Sequence, residues 1–156
     1  MTGYIFAQVN GKDWHPVLDP LYRQHFAQMQ ERLAADGIKI GAYAPRLDQY
    51  FAGIDRGDFL TFVALADGAP VGYLNVWRTN DMHTGEPIAQ EDALFVLPEH
   101  RRGVGKKLVQ HVMAHLKAAG VKRLTITPVT DLRVGKIWRR MGYRPVAELM
   151  TYTFED

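Results

Sequence analysis

Cysteine is absent from this sequence, and its absence excludes several kinds of chemistry. Without thiols, the chain can form neither a disulfide nor a thiolate metal site. It also lacks a cysteine nucleophile, so an acyl transfer would be direct or would use another residue. His111 and His115 are spaced to share one helical face, but the acid of a zinc-protease motif is missing, and we interpret them as a surface pair. We therefore predict no metal.

Long apolar runs are absent as well. No stretch reaches the roughly 18 apolar residues of a candidate membrane-spanning helix. Residues 1–10 lack the charged start and the long apolar stretch of a secretory signal, so we expect a cytoplasmic protein without a membrane partner. Repeats, low-complexity tracts and linkers are missing too. The 156 residues are therefore predicted to form a single domain, 1–156.

The formal net charge of +2 conceals a local excess of cations. Residues 99–144 hold twelve of the nineteen Lys and Arg residues but only two acids, Glu99 and Asp131. Such a region suits a ligand with several phosphates, and it equally suits a nucleic-acid backbone. Spread over the exposed faces of helices, it can also be a solvated surface only. Charge alone leaves these alternatives open.

The most informative passage is residues 94–116, where an apolar strand runs into Pro98, a basic glycine loop and an amphipathic helix. The loop reads Arg101, Arg102, Gly103, Val104, Gly105, Lys106, Lys107. A glycine turn at a helix N-terminus directs backbone N–H groups and the positive end of the helix dipole at one place, which favours a phosphate ligand. A nucleotide P-loop is excluded because Lys107 stands where Ser or Thr is required. A dinucleotide fingerprint is excluded because Leu108 replaces its third glycine.

Two features of this passage resemble the acetyl-CoA loop of the Gcn5-related N-acetyltransferases, the GNAT superfamily. Residues 94–98 match the family's apolar strand, which closes with Val, any residue and Pro. Gly103 and Gly105 match its paired glycines. The loop is one residue shorter than the signature, and counting from Pro98 puts Arg101 in the position of the family's Gln or Arg.

A second resemblance lies at residues 137–143, which are similar to the family's closing motif of an aromatic residue, two polar residues, any residue, Gly and Phe. The family often has Tyr where Trp138 stands, and that phenol commonly protonates the leaving thiolate. An indole N–H is not an acid at working pH, so Trp138 would not do so. The short loop and this ending resemble the acetyltransferase-like proteins of phage and prophage genomes.

The resemblance implies that acetyl-CoA is the cosubstrate and that its acetyl group is transferred to a primary amine by direct attack. The cofactor-binding residues that it implies are Leu94, Phe95, Val96, Arg101, Arg102, Gly103, Val104, Gly105, Lys106 and Trp138. The amide near Val96 would stabilise the oxyanion. The acceptor would be a small-molecule or peptide amine, nucleic acid is not favoured as a partner, and a homodimer is left open.

Two acids on the strand before the loop are candidates for the general base. Because successive strand residues point to opposite faces, only one of Glu91 and Asp92 can face a given cleft. Unbroken alternation places Glu91 with Phe95, and Asp92 with Leu94 and Val96. We prefer Glu91, because the other face ends in apolar residues that would pack under a helix. The alternative is that both acids only mark the exposed start of a strand.

Tyr152 is the candidate general acid, and the alternative is a tyrosine with no role beyond its place in a strand. A different class of function also stays open. With Trp138 where the family often has Tyr, the protein could be a non-catalytic binding protein for acyl-CoA or nucleic acid on the same fold.

The order of predicted elements is typical of an α/β protein. Strands are predicted at 4–9, 59–66, 69–76, 87–97, 124–127 and near the C-terminus. Helices are predicted from Pro20 until Gly37 stops the helix, at 45–54, from Val104 until Gly120 ends it, and before 143, with a loop at 78–86. Asp19 and Asp131 are predicted helix N-caps. The resemblance implies a mixed sheet, mostly antiparallel, with a parallel pair at the cofactor cleft and helices on both faces. The acceptor pocket is expected from residues 20–57 and the 78–86 loop.

Overall fold

A computed structural model describes residues 3–128 and 132–155. In chain order the helices and strands are β1 Tyr4–Val9, α1 His15–Ala35, α2 Leu47–Arg56, β2 Phe59–Ala66, β3 Ala69–Asn80, β4 Pro87–Val96, α3 Val104–Ala118, β5 Leu124–Thr125 and α4 Gly135–Arg140. Short 3₁₀ turns lie at Pro98–His100 and Leu132–Val134.

The five strands form one sheet in the order β1-β2-β3-β4-β5. The first three pairings are antiparallel and β4 pairs with β5 in parallel. At the predicted hairpin, Asp67 and Gly68 have φ of 51° and 81°. Two successive residues with positive φ match the right-handed twist of the flanking strands, which explains the tight turn. The predicted mixed sheet with a parallel pair is confirmed.

Helices cover both faces of the sheet, as predicted. On one face, α3 buries a stripe at four-residue spacing. Its members are Val104, Leu108, Val112 and Leu116. On the other face, Leu18 and Leu21 of α1 pack with Tyr73 and Phe95 in a second cluster. The sheet is therefore buried between two apolar layers.

A β-bulge in β4 breaks the alternation on which the base assignment depended. Asn75 pairs with Ala93, whereas the next residue, Val76, pairs with Glu91, so Asp92 is an extra residue. From the bulge onward, the alternation of side chains between the two faces of the sheet is shifted by one residue. Ala89 packs in the α3 cluster, and Ala93 belongs to the α1 cluster. The prediction that Glu91 shares a face with Phe95 is therefore wrong, because Glu91 follows Ala89 onto the α3 side.

Helix α1 begins at His15 rather than at Pro20, which lies inside the helix. The earlier start is stabilised by the bond from the Leu18 N–H to the Trp14 carbonyl and by burial of the Leu18 side chain. Asp19 is not an N-cap; its carboxylate instead pairs with Arg23 at 2.7 Å. Apolar packing has outweighed the local signal of the proline.

Two further boundaries differ from the predictions. Strand β3 runs on to Asn80, which pairs with Pro87, so the predicted 78–86 loop is shortened to a turn held by Asp81. Residues 143–155 form no helix or strand, so the predicted last strand is not present there. Asp131, the predicted N-cap of α4, lies outside the described residues.

Candidate active site

The two parallel strands separate soon after they meet. Only Ala89 with Leu124 and Gln90 with Thr125 are paired. Beyond them a cavity of about 630 Å³ opens between β4, α3 and α4. We call this cavity the cleft. The split exposes the backbone edge of β4 to the cleft while the sheet still holds the strand rigidly from the β3 side.

The glycine loop forms one end of the cleft. Gly103 has φ of +86° and is the N-cap of α3, and no side chain caps the first turn of that helix. A left-handed backbone favours glycine, so the sequence needs Gly103 to start the helix at this angle. Gly105 has no such need, since a Cβ there would lie 3.7 Å from Val96 Cγ2. Gly103, Gly105 and Lys106 line the cleft.

Arg101 holds the end of β4. Its Nε donates to the Val96 carbonyl at 2.7 Å, its Nη2 donates to Gln28 Oε1 at 3.0 Å, and its guanidinium lies 5.3 Å from the centre of the Phe95 ring. The Leu97 N–H donates to a β3 carbonyl, so the polar backbone groups of Val96 point away from β3. Arg101 therefore occupies the Val96 carbonyl and leaves the Val96 N–H directed at the cleft.

Glu91 lines the cleft, and the pKa of its carboxyl group lies near neutral pH. Burial raises the pKa of Glu91 to about 7. The hydrogen bond from the Thr127 N–H, 2.8 Å to Oε2, opposes this rise, and the negative charge of Asp92 adds to it. A carboxyl group with a pKa near 7 can accept a proton at neutral pH and release it again.

Trp138 and Tyr143 lie against each other at the α4 side. Trp138 is 7% exposed and lines the cleft, and the two ring centres are 6.0 Å apart. Within the described residues, the Trp138 Nε1 and the Tyr143 hydroxyl are buried without a hydrogen-bond partner. Burial raises the pKa of Tyr143 to about 12, and the charge of Glu91 adds to the rise. Tyr143 is thus within electrostatic reach of Glu91.

The other predicted site residues lie partly in the lining of the cleft and partly outside it. Leu94, Phe95 and Val96 line the cleft. Arg102 is an exposed cation of the loop, and Val104, the first residue of α3, is buried on the sheet side of the helix. Tyr152 is 80% exposed, contacts the Phe154 ring and lines neither the cleft nor the second cavity described below. Its catalytic role stays a prediction.

A second cavity of about 220 Å³ lies on the α1 side of the sheet. Aromatic side chains dominate its lining, and we call it the aromatic cavity. They are Tyr22, Phe26, Tyr43, Tyr50, Phe51, Phe59 and Tyr73. His25, Met29 and Asp92 line both this cavity and the cleft. Much of the lining comes from the predicted 20–57 region, and none of it from 78–86.

Asp92 lies where the two cavities meet. The bulge turns its carboxylate away from Glu91, and it accepts hydrogen bonds from the Tyr50 hydroxyl at 3.1 Å and from Trp77 Nε1 at 3.2 Å. Desolvation raises the pKa of Asp92, and these two bonds oppose the rise. The tertiary structure therefore places Glu91 in the cleft and Asp92 at the boundary between the cleft and the aromatic cavity.

His25 is a site residue that the sequence reasoning missed. Its Nδ1 lies 2.6 Å from the Tyr73 hydroxyl, and its ring stacks on Phe95 with centres 5.1 Å apart. Burial lowers the pKa of His25 to about 4, helped by the charge of Arg101, so the ring is neutral at pH 7. A histidine four residues after the buried Leu21 was the available signal.

The described part of the chain contains neither a membrane-spanning helix nor a metal-binding group of side chains. No helix there is both long and apolar enough to cross a membrane. Nor do those residues contain a group of three or more His, Asp or Glu side chains that could hold a metal ion.

The mixed sheet that splits beside a glycine-capped helix defines an acetyltransferase-type fold. The chain belongs to the Acetyltransferase (GNAT) family, whose family model matches residues 21–143. A comparison with curated protein sequences finds no relative.

Several solved structures share the fold. The GCN5-related N-acetyltransferase from Ralstonia eutropha JMP134 is 19% identical, with a TM-score of 0.73 over 97% of this chain and 99% of that one. The aminoglycoside acetyltransferase meta-AAC0020 from an uncultured soil metagenomic sample, in complex with trehalose, is 18% identical, with a TM-score of 0.68 over 97% of each chain. The aminoglycoside N-acetyltransferase AAC(6')-Iy, in complex with CoA, is 18% identical, with a TM-score of 0.68 over 100% of this chain and 97% of that one. The phage-type subgroup stays a prediction.

Proposed function

We propose that the protein is an acetyl-CoA-dependent N-acetyltransferase that acts on a primary amine. The observation that carries the proposal is that one cavity contains both the glycine-capped start of α3 and Glu91, whose pKa is about 7. The first feature suits a diphosphate and the second suits proton removal from an amine. The fold that the chain shares with a CoA-bound acetyltransferase supports the same cosubstrate.

Acetyl-CoA would lie along the cleft. Its diphosphate would accept hydrogen bonds from the N–H groups of Gly103, Val104 and Gly105, with Arg102 and Lys106 supplying positive charge nearby. Its pantetheine arm would follow the open edge of β4, at Leu94, Phe95 and Val96, because β5 pairs only with residues 89 and 90. Trp138 would cover the far side with apolar surface.

The reaction would be a direct transfer. Glu91 takes a proton from the ammonium form of the acceptor, whose free electron pair then forms a bond to the thioester carbonyl carbon. The carbonyl oxygen becomes an oxyanion, and the Val96 N–H donates a hydrogen bond to it. The carbon–sulfur bond breaks when the oxyanion collapses. The thiolate leaves and takes up a proton, and the new amide nitrogen loses its second proton to solvent.

Two tyrosines are candidates for the group that protonates the thiolate. Tyr152 is the sequence-based candidate, but its hydroxyl lies in an exposed segment outside the cleft lining. The Tyr143 hydroxyl is buried, has no partner among the described residues and feels the charge of Glu91. Tyr143 does not line the cleft either, but its ring lies against Trp138, which does. We favour Tyr143, because only a small shift at Trp138 is needed for this unpartnered hydroxyl to donate a hydrogen bond to a developing thiolate.

Binding and turnover test the proposal separately. We expect acetyl-CoA to bind in isothermal titration at micromolar to millimolar concentration, and amine-dependent release of free CoA thiol to follow. Absence of binding at about a millimolar would contradict both the cosubstrate and the enzyme. Binding without thiol release for any amine in a broad panel would favour the second candidate function.

That second candidate is a non-catalytic binding protein for acyl-CoA or nucleic acid. The observation that favours it is Trp138, which lines the cleft with a group that is not an acid. Many of the cations of residues 99–144 are exposed, which suits a nucleic-acid backbone. Salt-dependent binding of DNA or RNA that CoA does not displace would support it; competition by CoA would count against it.

A further inference from the structure

Three polar side chains lie in a row across the floor of the aromatic cavity. Thr61 on β2 pairs directly with Asn75 on β3. Asn75 in turn pairs with Ala93 on β4, beside the bulged residue Asp92. All three polar residues line the cavity. A hydroxyl, an amide and a carboxylate therefore follow one another over three neighbouring strands, which are spaced about 5 Å apart.

Two polar atoms of this row have no hydrogen-bond partner among the described residues. They are Thr61 Oγ1 and Asn75 Oδ1, and their residues are only 1% and 4% exposed. The other end of the Asn75 amide is occupied, because Nδ2 donates to the Tyr22 hydroxyl at 3.2 Å. Buried polar atoms are nearly always paired, so two neighbouring exceptions at a cavity wall mark where a polar group of a water or a ligand would complete the pairing.

Gly11 lies close to the Thr61 hydroxyl. A Cβ at position 11 would lie 2.7 Å from Thr61 Oγ1, closer than side-chain carbon atoms approach. Gly11 itself lines the aromatic cavity. The glycine therefore lets the backbone pack closely against Thr61, where a larger residue would clash with the hydroxyl.

The charge and size of the aromatic cavity limit what it can hold. Asp92 is the one carboxylate among its described lining residues, and no Lys or Arg of the described chain lines it. One carboxylate surrounded by aromatic rings suits one ammonium group on an apolar body. At about 220 Å³ the cavity is below the roughly 300–1,000 Å³ of sites for drug-sized ligands. A bulky polycation matches neither the single carboxylate nor the small volume of the cavity.

We infer that the acceptor is a small primary monoamine whose compact apolar or aromatic body carries a hydroxyl group. This inference rests on the proposed acetyl transfer. The amino group lies at Asp92, on the boundary between the two cavities, so that Glu91 takes its proton from the cleft side while the body fills the aromatic cavity. The hydroxyl lies between the middle and the far end of the row, where it donates to Asn75 Oδ1 and accepts from the Thr61 hydroxyl.

Matched amine pairs test this substrate class. Thiol release is measured with tyramine against phenethylamine and with 5-aminopentan-1-ol against pentylamine, beside the polycations spermidine and kanamycin. We expect each hydroxylated amine to have a kcat/KM about tenfold above its partner, and both polycations to fall below all four. Equal rates within the pairs, or a preference for a polycation, would overturn the inference while leaving the acetyltransferase intact.

Thr61→Val separates a ligand contact from a general effect. It keeps the branched shape and removes the hydroxyl, so we expect it to lower the ratio of kcat/KM for tyramine to kcat/KM for phenethylamine by about fivefold or more. Thr61→Ser should restore the preference. An unchanged tyramine preference in folded Thr61→Val would contradict the contact, as would an equal loss for both amines. If Thr61→Val does not fold, the wild-type pairs decide alone.

A different result would contradict the proposed acetyl transfer itself. If the protein neither binds acetyl-CoA nor releases thiol with any of the six amines, the enzyme itself is contradicted, and the acceptor inference falls with it. Turnover with any amine retains the enzyme and leaves the order of rates to judge the acceptor.

Discussion

The backbone N–H of Thr127 donates a hydrogen bond of 2.8 Å to Oε2 of Glu91, across the gap where β5 separates from β4. This bond connects the Glu91 carboxylate on β4 to Thr127, in the segment that follows β5. It fixes one oxygen of Glu91 at the mouth of the split. Because the bond favours the ionised form while burial disfavours it, the pKa settles near neutrality.

Glu91→Gln tests the general base. We expect kcat/KM to fall by about 10²- to 10⁴-fold, because the amide cannot accept the amine proton. In the wild type, kcat/KM should rise with pH through about 7, where Glu91 ionises, and this limb should vanish in the variant. The exposed Glu31→Gln on α1 is the matched control. Full activity of Glu91→Gln at every pH would contradict the assignment.

The same residue should make stability depend on pH. The pKa of Glu91 is about 7 in the folded protein against 4.5 for the free group, so the folded state binds more protons between these values. Its stabilising contribution is present below about pH 4.5 and is lost as the pH rises through 7. In urea denaturation we expect Glu91→Gln to gain about 1–3 kcal/mol relative to wild type between pH 4 and 8. A constant difference would contradict the raised pKa.

Gly103→Ala and Gly120→Ala form a matched pair at the two ends of α3. Both glycines have positive φ, 86° and 83°, and neither would meet an atom within 4 Å through a Cβ. Each substitution should therefore cost about 1–2 kcal/mol of folding free energy through backbone strain. Only Gly103→Ala should also weaken acetyl-CoA in isothermal titration, by about tenfold, because it disturbs the proposed diphosphate site. Equal affinities would argue against that site.

Tyr143→Phe and Tyr152→Phe compare the two candidate acids. We expect Tyr143→Phe to lower kcat by about tenfold or more, because its hydroxyl is unpartnered and its ring lies against Trp138, which lines the cleft. Tyr152→Phe should change kcat by less than about twofold, since this residue is exposed and outside the cleft lining. Steady-state kinetics with saturating acetyl-CoA checks both. The reverse order would restore Tyr152 as the acid.

Leu18→Ala tests the early start of α1. Leu18 is fully buried, and its truncation should cost about 2–5 kcal/mol in chemical denaturation. The neighbouring Val17 is half exposed, so Val17→Ala should cost less than about 0.5 kcal/mol. Similar costs for the two would mean that the first turns of the helix do not carry the core contact.

Local features could be predicted from the sequence because each depends on a few neighbouring residues. The Asp67–Gly68 turn, the four-residue stripe of α3 and the glycine start of that helix are of this kind. Backbone conformation and helical spacing are set within one or two turns of chain. The order of these elements, with the family resemblance, then led to the mixed sheet that the structure confirms.

Only the tertiary structure decided which side chains share a cavity. The bulge at Asp92 depends on how β4 pairs with β3, and a strand alone does not show where its alternation will break. The same holds for His25 beside Tyr73 and for the row from Thr61 to Asp92, whose members come from separate elements. Sheet register and helix packing bring these residues together. Both depend on the free energy of the whole core, so no single segment of the sequence specifies them.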